Sequence, residues 1–244
     1  GNPKGTMIEQ KSVIRLVKNG GFVTLDDELV ILETGQLSFD ASTLEIWGSL
    51  LNGGQLVITD NDTLLDSKRL KDEIKNKNVN FMWLTSTLFN QMFMADEHIF
   101  DSLQCLMIGG EQLSEKHVRM FKGIKNNVRL VNGYGPTENT TFTTTYEIPD
   151  RFDIIPIGKP ISNTKVFVLN GDKLCGIGIP GELCTSGDGV SRGYLNNKKL
   201  TKEKFVKNPY GSGKMYRTGD LVRWMPDGNI EFMGRIDEQV KIRG

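Results

Sequence analysis

Residues 132–141 of this chain, Asn-Gly-Tyr-Gly-Pro-Thr-Glu-Asn-Thr-Thr, combine glycines, an aromatic ring, hydroxyls and one carboxylate. The glycines on either side of Tyr134 permit backbone conformations closed to other residues and let a ligand approach the main chain. The Tyr134 ring offers a flat face to a heterocycle. Thr137 and Glu138 place a hydroxyl beside a hard oxygen ligand, which suits a phosphate and a Mg²⁺ ion. The stretch therefore predicts a ligand site, with a surface turn as the alternative.

A second candidate, Asp40, lies among apolar residues just before a predicted helix. Ser42 and Glu45 have the spacing of a capping box, so we expect the helix to begin near Ser42 and to end near Leu51. Asp40 is then either an alternative N-cap or a carboxylate in a pocket that awaits a cationic ligand group, because an unpaired buried charge is costly.

Strands that alternate with helices position these residues, and this order predicts parallel pairing through right-handed crossovers. In such sheets ligands bind at the carboxyl ends of the strands. Three strand ends supply residues 83–85, 109–111 and 132–138, so they predict a nucleotide or small-molecule site, with chance turn glycines as the alternative. The strands are expected over residues 55–59, 79–84, 105–108, 128–131 and 140–146, and the helices around residues 13–17, over 66–75, and from residues 86 and 114.

After residue 150 the composition changes to short β-prone runs separated by Gly, Pro, Asn and Asp. This pattern predicts an antiparallel sheet or small barrel, with hairpin turns at residues 186–189 and 227–228. The predicted fold is an α/β protein in which a parallel-sheet α/β subdomain, residues 1–150, is followed by a small antiparallel β-barrel-like subdomain, residues 151–236.

Charge and composition exclude several classes of function. The chain of 244 residues carries 30 basic and 30 acidic side chains, so no global field favours nucleic acid or an anionic membrane. Its apolar runs are too short to span a bilayer, and no signal peptide opens it. Cys105, Cys175 and Cys184 lack metal-site spacing, so we expect buried reduced thiols. A cytoplasmic globular protein follows, and both ends read as an excerpt of a longer polypeptide.

In this order, the segments resemble the adenylation domain of nonribosomal peptide synthetases, within the adenylate-forming superfamily. The resemblance covers essentially the whole chain and rests on several motifs in register. These are residues 1–5 (the tail of a phosphate loop), 39–42 (Phe-Asp-Ala-Ser, the amino-acid-binding motif), 132–140, 181–183 with 192–194, 216–220 (Tyr-Arg-Thr-Gly-Asp) and 234–244.

The resemblance implies two half-reactions. An amino-acid carboxylate attacks the α-phosphate of ATP, which gives an aminoacyl-adenylate and pyrophosphate, and a phosphopantetheine thiol on a peptidyl carrier domain then takes the acyl group. Catalysis would be mostly positioning and electrostatic stabilisation by Mg²⁺ and cationic groups. The implied partners are an amino acid and the carrier and condensation domains of the same synthetase.

The resemblance also assigns roles to single residues. Tyr134 would stack on adenine, with Asn132 and Gly110 at its edge. Thr137 would contact the α-phosphate, and Glu138 would hold Mg²⁺.

Further roles fall near the two ends of the chain. Asp220 would accept both ribose hydroxyls, with Arg235 nearby; the alternative for Asp220 is an ordinary turn aspartate. Lys4 would meet phosphate as the nucleotide enters. Asp237 would be the hinge of a small C-terminal domain that begins within residues 237–244.

For the substrate, the resemblance implies that Asp40 pairs with an α-ammonium group. The aligned pocket is otherwise uncharged and mostly apolar, which favours a small branched aliphatic side chain. Valine is the expected substrate, with isoleucine, leucine and 2-aminobutyrate as close rivals, since one methylene changes selectivity by only about 1–3 kcal/mol. Core packing is the alternative for each apolar member. The other pocket residues are Ala41, Leu44, Trp83, Met107, Gly109, Gly133, Thr141 and Phe142.

The fold expected from the resemblance is truncated. It lacks the first half of the phosphate loop, the preceding subdomain and the small domain with the adenylation lysine, so we expect the chain alone to be inactive. The alternatives are a catalytically incompetent nucleotide-binding or interaction fragment, and an acyl-CoA ligase relative, which Asp40 and the ending at residues 239–244 disfavour.

Overall fold

The computed structural model describes residues 4–18, 20–124 and 127–236. The chain divides into two compact units that interleave along the sequence. The parallel unit takes the described residues of 23–133 and 146–155, and the antiparallel unit takes those of 1–22, 134–145 and 156–240. The expected linear division at residue 150 stays a prediction. The expected hinge, Asp237, lies outside the described residues.

The parallel unit is built on strands in the order β2-β1-β3-β4-β5, and each neighbouring pair runs parallel. This confirms the predicted α/β class. Its strands are β1 Val30–Leu32, β2 Gln55–Val57, β3 Phe81–Thr85, β4 Cys105–Gly109 and β5 Arg129–Tyr134, of which the last residue belongs to the other unit. Its helices are α2 Ala41–Leu50, α3 Asn61–Leu64, α4 Ser67–Asn76, α5 Ser86–Ala95 and α6 Glu115–Gly123.

Side-chain caps and an aromatic core fix the helices of this unit. The Asp66 carboxylate accepts from the Arg69 N–H at the start of α4, and the Thr85 hydroxyl accepts from the Leu88 N–H at the start of α5. One face of the sheet packs on phenylalanines that are at most 2% exposed. The core residues of that face are Met82, Leu84, Leu106, Ile108 and Leu130, and the phenylalanines are Phe89, Phe93, Phe100 and Phe121.

The strands of the parallel unit end together. Thr85 lies opposite Gly109 across β3 and β4, and Gly109 lies opposite Gly133 across β4 and β5. The predicted convergence of strand ends at one edge of the sheet is therefore confirmed.

The antiparallel unit contains a sheet in the order β11-β12-β10-β8-β9, with β13 paired to β12, that curls into a half-barrel. The predicted antiparallel sheet is confirmed. Its members are β8 Thr164–Asn170, β9 Lys173–Leu174, β10 Gly181–Gly187, β11 Phe205–Lys207, β12 Lys214–Trp224 and β13 Ile230–Arg235. The unit also holds α1 Gln10–Val17, a 3-10 helix Thr137–Asn139, α7 Lys198–Lys204 and β7 Lys159–Pro160. Strand β7 pairs with the first two residues of β6 (Thr144–Glu147), whose last two residues belong to the parallel unit.

Several local predictions were wrong. The chain over residues 140–143 is not a strand, because Thr140 and Thr141 take left-handed φ angles of 54° and 65° and β6 begins only at Thr144. Residues 186–189 do not join two paired strands into a hairpin. They end β10 and follow it, β10 pairs with β8 and β12, and the next helix or strand along the chain is α7. The hairpin at residues 227–228 is confirmed, with Gly228 at φ 80°. Strand β1 was not predicted.

The cysteines are all free, and Cys105 and Cys184 are buried as predicted, whereas Cys175 is only half-buried. Burial raises the pKa of the Cys105 thiol to about 11 and that of the Cys184 thiol to about 12, so both stay protonated at neutral pH. Over the described ranges, no helix combines the length and the apolar character that crossing a bilayer requires.

Candidate active site

The strand ends of the parallel unit gather four predicted pocket residues on one face of the sheet. Side chains two residues apart on a strand share a face, and Trp83 lies opposite Met107 on the next strand. One step further along the strands, Gly109 lies opposite Gly133 on the same face. Met107 is fully buried and lies on the same face as the two glycines.

Gly109 is required by backbone packing. A Cβ added there would lie 2.1 Å from the Gly133 carbonyl oxygen, a distance that no side chain tolerates. Gly110 takes a left-handed φ of 77°, and a Cβ there would lie 3.8 Å from the edge of the Trp83 ring. Asn132 is buried on the opposite face of β5, across from Ile108.

Helix α2 contributes the remaining pocket residues of the parallel unit. Asp40 occupies its N-cap position with φ −71° and ψ −17°, and its side chain makes no capping hydrogen bond. Asp40 is therefore the N-cap residue of α2 by position, although its carboxylate does not cap the helix. Ala41 and Leu44 lie one turn apart on the same face of α2 and are 4% and 0% exposed.

The predicted capping box is also wrong, because Glu45 points into the protein. Its fully buried carboxylate accepts from the Thr34 N–H (3.0 Å), the Thr34 hydroxyl (2.8 Å) and the Gly35 N–H (3.3 Å). The Ser42 hydroxyl instead donates to the Phe39 carbonyl at 2.7 Å. Sequence reasoning missed this role of Glu45, since its spacing from Ser42 matched a local motif.

The Thr34 hydroxyl links Glu45 to the strand that carries Trp83. Its oxygen lies 2.6 Å from the Trp83 carbonyl oxygen and 2.8 Å from the Glu45 carboxylate, although a hydroxyl has one proton to donate. The single hydroxyl proton of Thr34 thus serves two acceptors, the Glu45 carboxylate and the Trp83 carbonyl. Burial raises the pKa of Glu45, with nearby Glu33 adding to the effect and the Thr34 and Gly35 hydrogen bonds opposing it.

In the antiparallel unit, Asp220 is the centre of a polar cluster. The Tyr134 hydroxyl donates to Asp220 Oδ2, and Arg235 Nη1 donates to Asp220 Oδ1 at 2.8 Å and to the Thr218 carbonyl at 2.9 Å. Burial and the Asp220 carboxylate raise the pKa of Tyr134 well above its usual value, so the phenol stays a donor at neutral pH. Asp220 is 7% exposed and is held on both oxygens.

Glu182 on β10 fixes the segment that precedes Asp220. Its carboxylate accepts from Arg217 Nε and Nη2 at 2.9 and 2.6 Å, and from the Gly219 N–H at 3.0 Å. Since these bonds hold both sides of Thr218, they also fix the backbone that presents Asp220. Glu182 lies in a motif of the sequence, but its contacts span 35 residues and no spacing rule predicts them.

Glu138 contacts two tyrosines that sequence reasoning did not single out. The Tyr194 hydroxyl donates to Glu138 Oε1, and the Tyr216 hydroxyl lies 3.3 Å from that of Tyr194. Burial chiefly raises the pKa of both phenols, so they remain hydrogen-bond donors. Lys4 Nζ lies 5.9 Å from the centre of the Tyr194 ring, which brings the predicted phosphate-contacting lysine to the ring that holds Glu138.

Thr141 and Phe142 follow Glu138 and are both buried. Left-handed backbone at non-glycine residues costs about 1–3 kcal/mol each, so the turn at Thr140 and Thr141 needs support from its surroundings. The predicted site residues thus fall into two groups. Asp40, Ala41, Leu44, Trp83, Met107, Gly109, Gly110, Asn132 and Gly133 belong to the parallel unit, and Lys4, Tyr134, Thr137, Glu138, Thr141, Phe142, Asp220 and Arg235 to the antiparallel unit.

The oxygen atoms of Thr137 and Glu138 suit a metal ion to which the protein supplies few ligands. Within residues 4–18, 20–124 and 127–236, no three or more His, Cys, Asp or Glu side chains gather into a metal site. Glu138 is half-buried, and the neighbouring Thr137 is exposed. Mg²⁺ is commonly held by one or two carboxylates together with substrate phosphates and water. Glu138 therefore fits a Mg²⁺ ion that arrives with a nucleotide, and it does not fit a permanent all-protein site.

Comparisons with known proteins extend these observations. The family model described as "AMP-binding enzyme" matches residues 1–195. Over its whole length the chain is 50% identical to tyrocidine synthase 3 of Brevibacillus parabrevis and 51% identical to gramicidin S synthase 2 of Brevibacillus brevis. It spans only 4% and 6% of the length of those two proteins.

Solved structures show the same likeness. The structure of PA1221, an NRPS protein containing adenylation and PCP domains, matches the whole chain with a TM-score of 0.94 at 37% identity, and the chain covers 50% of it. The Klebsiella oxytoca NpsA N-terminal subdomain in complex with 3-hydroxybenzoyl-AMSN matches 96% of the chain with a TM-score of 0.89 at 28% identity, and the chain covers 59% of it.

The raised pKa of Glu45 predicts a pH-dependent stability difference between the protein and its Glu45→Gln variant. In the folded state Glu45 holds its proton more tightly than in the unfolded state, so its ionisation opposes folding. As the pH rises from the ordinary pKa of 4.5 to the raised one, the wild type should lose stability relative to the variant, by about 1.4 kcal/mol for each unit of pKa shift. Urea unfolding at a series of pH values measures the difference.

The matched control is Glu28→Gln, since Glu28 has an exposed side chain in the same unit. Its pH profile supplies the baseline against which the Glu45→Gln profile is compared. A Glu45→Gln profile that matches this baseline would contradict the raised pKa of Glu45.

Proposed function

Because this chain belongs to the family of AMP-binding enzymes, we propose that it contributes the amino-acid and nucleotide sites of a nonribosomal peptide synthetase adenylation domain. The proposed reaction joins an amino-acid carboxylate to the α-phosphate of ATP, releases pyrophosphate, and passes the acyl group to a carrier-bound phosphopantetheine thiol. The observation that carries the proposal is the Asp220 carboxylate, which is fixed by Tyr134 and Arg235.

Asp220 suits a ribose with two free hydroxyls. A carboxylate has about four lone-pair sites on its two oxygens, and the structure fills one on each oxygen with Tyr134 and Arg235. One acceptor site remains on each oxygen, and the two point in fixed directions because Asp220 is nearly buried. The hydrogen bond from the Arg235 guanidinium to Asp220 is charge-assisted, which strengthens it. The Tyr134 ring is anchored by its own hydroxyl and would offer its face to adenine.

The phosphates would meet Thr137, Glu138 and Lys4. The exposed Thr137 hydroxyl would donate to an α-phosphate oxygen, and Lys4 would attract the incoming triphosphate. Glu138 would hold a Mg²⁺ ion, with Tyr194 keeping the carboxylate in place. The bound ion would neutralise phosphate charge that develops as the leaving pyrophosphate separates.

The amino acid would bind at the strand ends of the parallel unit. Asp40, at the start of α2, would pair with the ammonium group. Trp83, Met107 and Gly109 would contact the side chain, with the apolar Ala41 and Leu44 contributing from α2. Gly110 and Asn132 would border the adenine. Gly133 would complete the part of the pocket that the parallel unit supplies, and Thr141 and Phe142 of the antiparallel unit are proposed as further amino-acid-binding residues.

The proposed substrate is valine. Met107 and Leu44 are fully buried in a close-packed interior, so they would limit the depth available to a side chain. Gly109 and Gly133 would leave space for a branched substrate side chain. They would supply no polar side chain to pair with a hydroxyl or a charge on the substrate. A condensation domain and a carrier domain of the same synthetase are the proposed partners, in line with the adenylation and PCP domains that PA1221 contains.

A pair of isosteric variants tests the two binding roles separately in the full-length natural protein. Asp40→Asn should raise KM for the amino acid by about 10- to 100-fold, the range expected for a lost charged hydrogen bond, and leave KM for ATP within about twofold. Asp220→Asn should raise KM for ATP and spare KM for the amino acid. Amino-acid-dependent exchange of pyrophosphate into ATP measures all four values.

Asp62→Asn, an exposed aspartate at the start of α3, is the control and should change neither KM. The deaminated analogue 3-methylbutanoate separates this function from an acyl-CoA ligase, since it lacks the ammonium that Asp40 would bind. Equal effects of both variants on both substrates, or good activation of the analogue by the wild type, would contradict the proposal.

Trp83→Ala tests the proposed side-chain pocket. Removing the indole should enlarge the pocket, so kcat/KM for leucine and phenylalanine relative to valine should rise by about tenfold or more. Trp47→Ala is the matched control, because Trp47 lies on α2 with 43% of its surface exposed. If the variant still ranks valine first and rejects phenylalanine, Trp83 does not line the pocket.

A further inference from the structure

Arg15 on α1 is a charged side chain in the protein interior. It is 3% exposed, and in the part of the chain that the structure describes no carboxylate forms a salt bridge with it. Burial lowers its pKa to about 10, an effect that Asp188 opposes through space, so the guanidinium remains charged at neutral pH. A buried charge of this kind is costly, which calls for a compensating role.

The two hydrogen bonds of the guanidinium go to either side of the left-handed turn. Nη2 donates to the Asn139 carbonyl and Nη1 donates to the Phe142 carbonyl, both at 2.8 Å. Between these two carbonyls lie Thr140 and Thr141, with φ angles of 54° and 65°. The planar fork of an arginine thus spans the strained pair, which a lysine ammonium cannot do in the same geometry.

Neighbouring hydrogen bonds connect α1, the left-handed turn and residues 188–189. The Thr140 hydroxyl donates to the Gly189 carbonyl at 2.8 Å, and the Ser12 hydroxyl of α1 donates to the Asp188 carbonyl at 2.6 Å. Gly189 packs directly on the guanidinium, since a Cβ there would lie 1.7 Å from Arg15 Nη2. Helix α1, the turn and residues 188–189 therefore form one packed network around Arg15.

We propose that Arg15 is a positioning residue for amino-acid selection: it clamps residues 139–142 in the left-handed turn and so sets where Thr141 and Phe142 lie. The inference rests on the proposed function for the role of Thr141 and Phe142, whereas the clamp itself rests on geometry alone. Arg15 acts through the turn and needs no contact with substrate.

The experiment uses Arg15→Lys in the full-length natural protein, with amide hydrogen exchange as the first readout. The amides of Phe142 and Thr143, which donate within and just after the turn, should exchange at least tenfold faster than in wild type. The amides of β8 should change by less than twofold. Arg223→Met, which removes a half-exposed arginine paired with Glu231, is the control and should leave the turn unaffected.

A glycine substitution tests whether the clamp opposes strain. Glycine adopts positive φ without steric cost, so adding Thr141→Gly to Arg15→Lys should return the Phe142 and Thr143 amides to within about threefold of the wild-type exchange rates. Should Arg15→Lys alone fail to fold, the double variant should fold, and failure of both overturns the proposal. Unchanged exchange at the turn, or equal acceleration throughout the antiparallel unit, also overturns it.

Selectivity in pyrophosphate exchange supplies the second readout. Arg15→Lys should lower the kcat/KM ratio of the preferred amino acid to its homologue one methylene shorter by about tenfold, while KM for ATP changes less. A faster-exchanging turn with unaltered selectivity would overturn the positioning role. If the wild type activates no amino acid, the proposed function fails, but amide exchange still decides whether the clamp exists.

Discussion

The parallel hydrogen bonding of β3, β4 and β5 is the constraint on which the candidate site depends. Its register puts Thr85, Gly109 and Gly133 side by side at one edge of the sheet. The backbones approach so closely that a Cβ on Gly109 would fall 2.1 Å from the Gly133 carbonyl oxygen. The same register places Trp83 beside Met107, two residues before Thr85 and Gly109 on their strands. A shift by one residue would send these side chains to the helix-packed face and abolish the surface for a substrate.

Within each unit, buried polar side chains fix the backbone beside candidate site residues. Glu45 holds the start of the segment after β1 through Thr34 and Gly35, and Glu182 holds the backbone before Asp220. Arg15 bridges the carbonyls around a turn whose strain costs about 1–3 kcal/mol per left-handed residue. In each case a charged or hydrogen-bonding side chain is buried in the interior, where it holds the backbone near a site residue. Catalysis by positioning needs such supports, because small displacements lose large factors in rate.

The sequence predicts the alternating strands and helices of the parallel unit well, because strand and helix periodicities depend on residues that are close in the chain. It fails where a distant residue decides the conformation. Strand β1 is only three residues long and fully buried, so it carries no periodicity. The threonines after Glu138 have high β propensity, but Arg15, more than a hundred residues earlier, holds them in a turn. Glu45 fits a capping box by spacing, yet Thr34 captures it. The surroundings of Asp220 likewise join residues 86 apart.

The most direct test is a crystal structure of the full-length natural protein with valine and a non-hydrolysable ATP analogue. The account predicts that the valine nitrogen lies within about 3 Å of the Asp40 carboxylate, as a charged hydrogen bond requires, with the ribose hydroxyls on Asp220 and the adenine beside Tyr134. Valine bound away from β3, β4 and β5, or a ribose with no contact to Asp220, would contradict it.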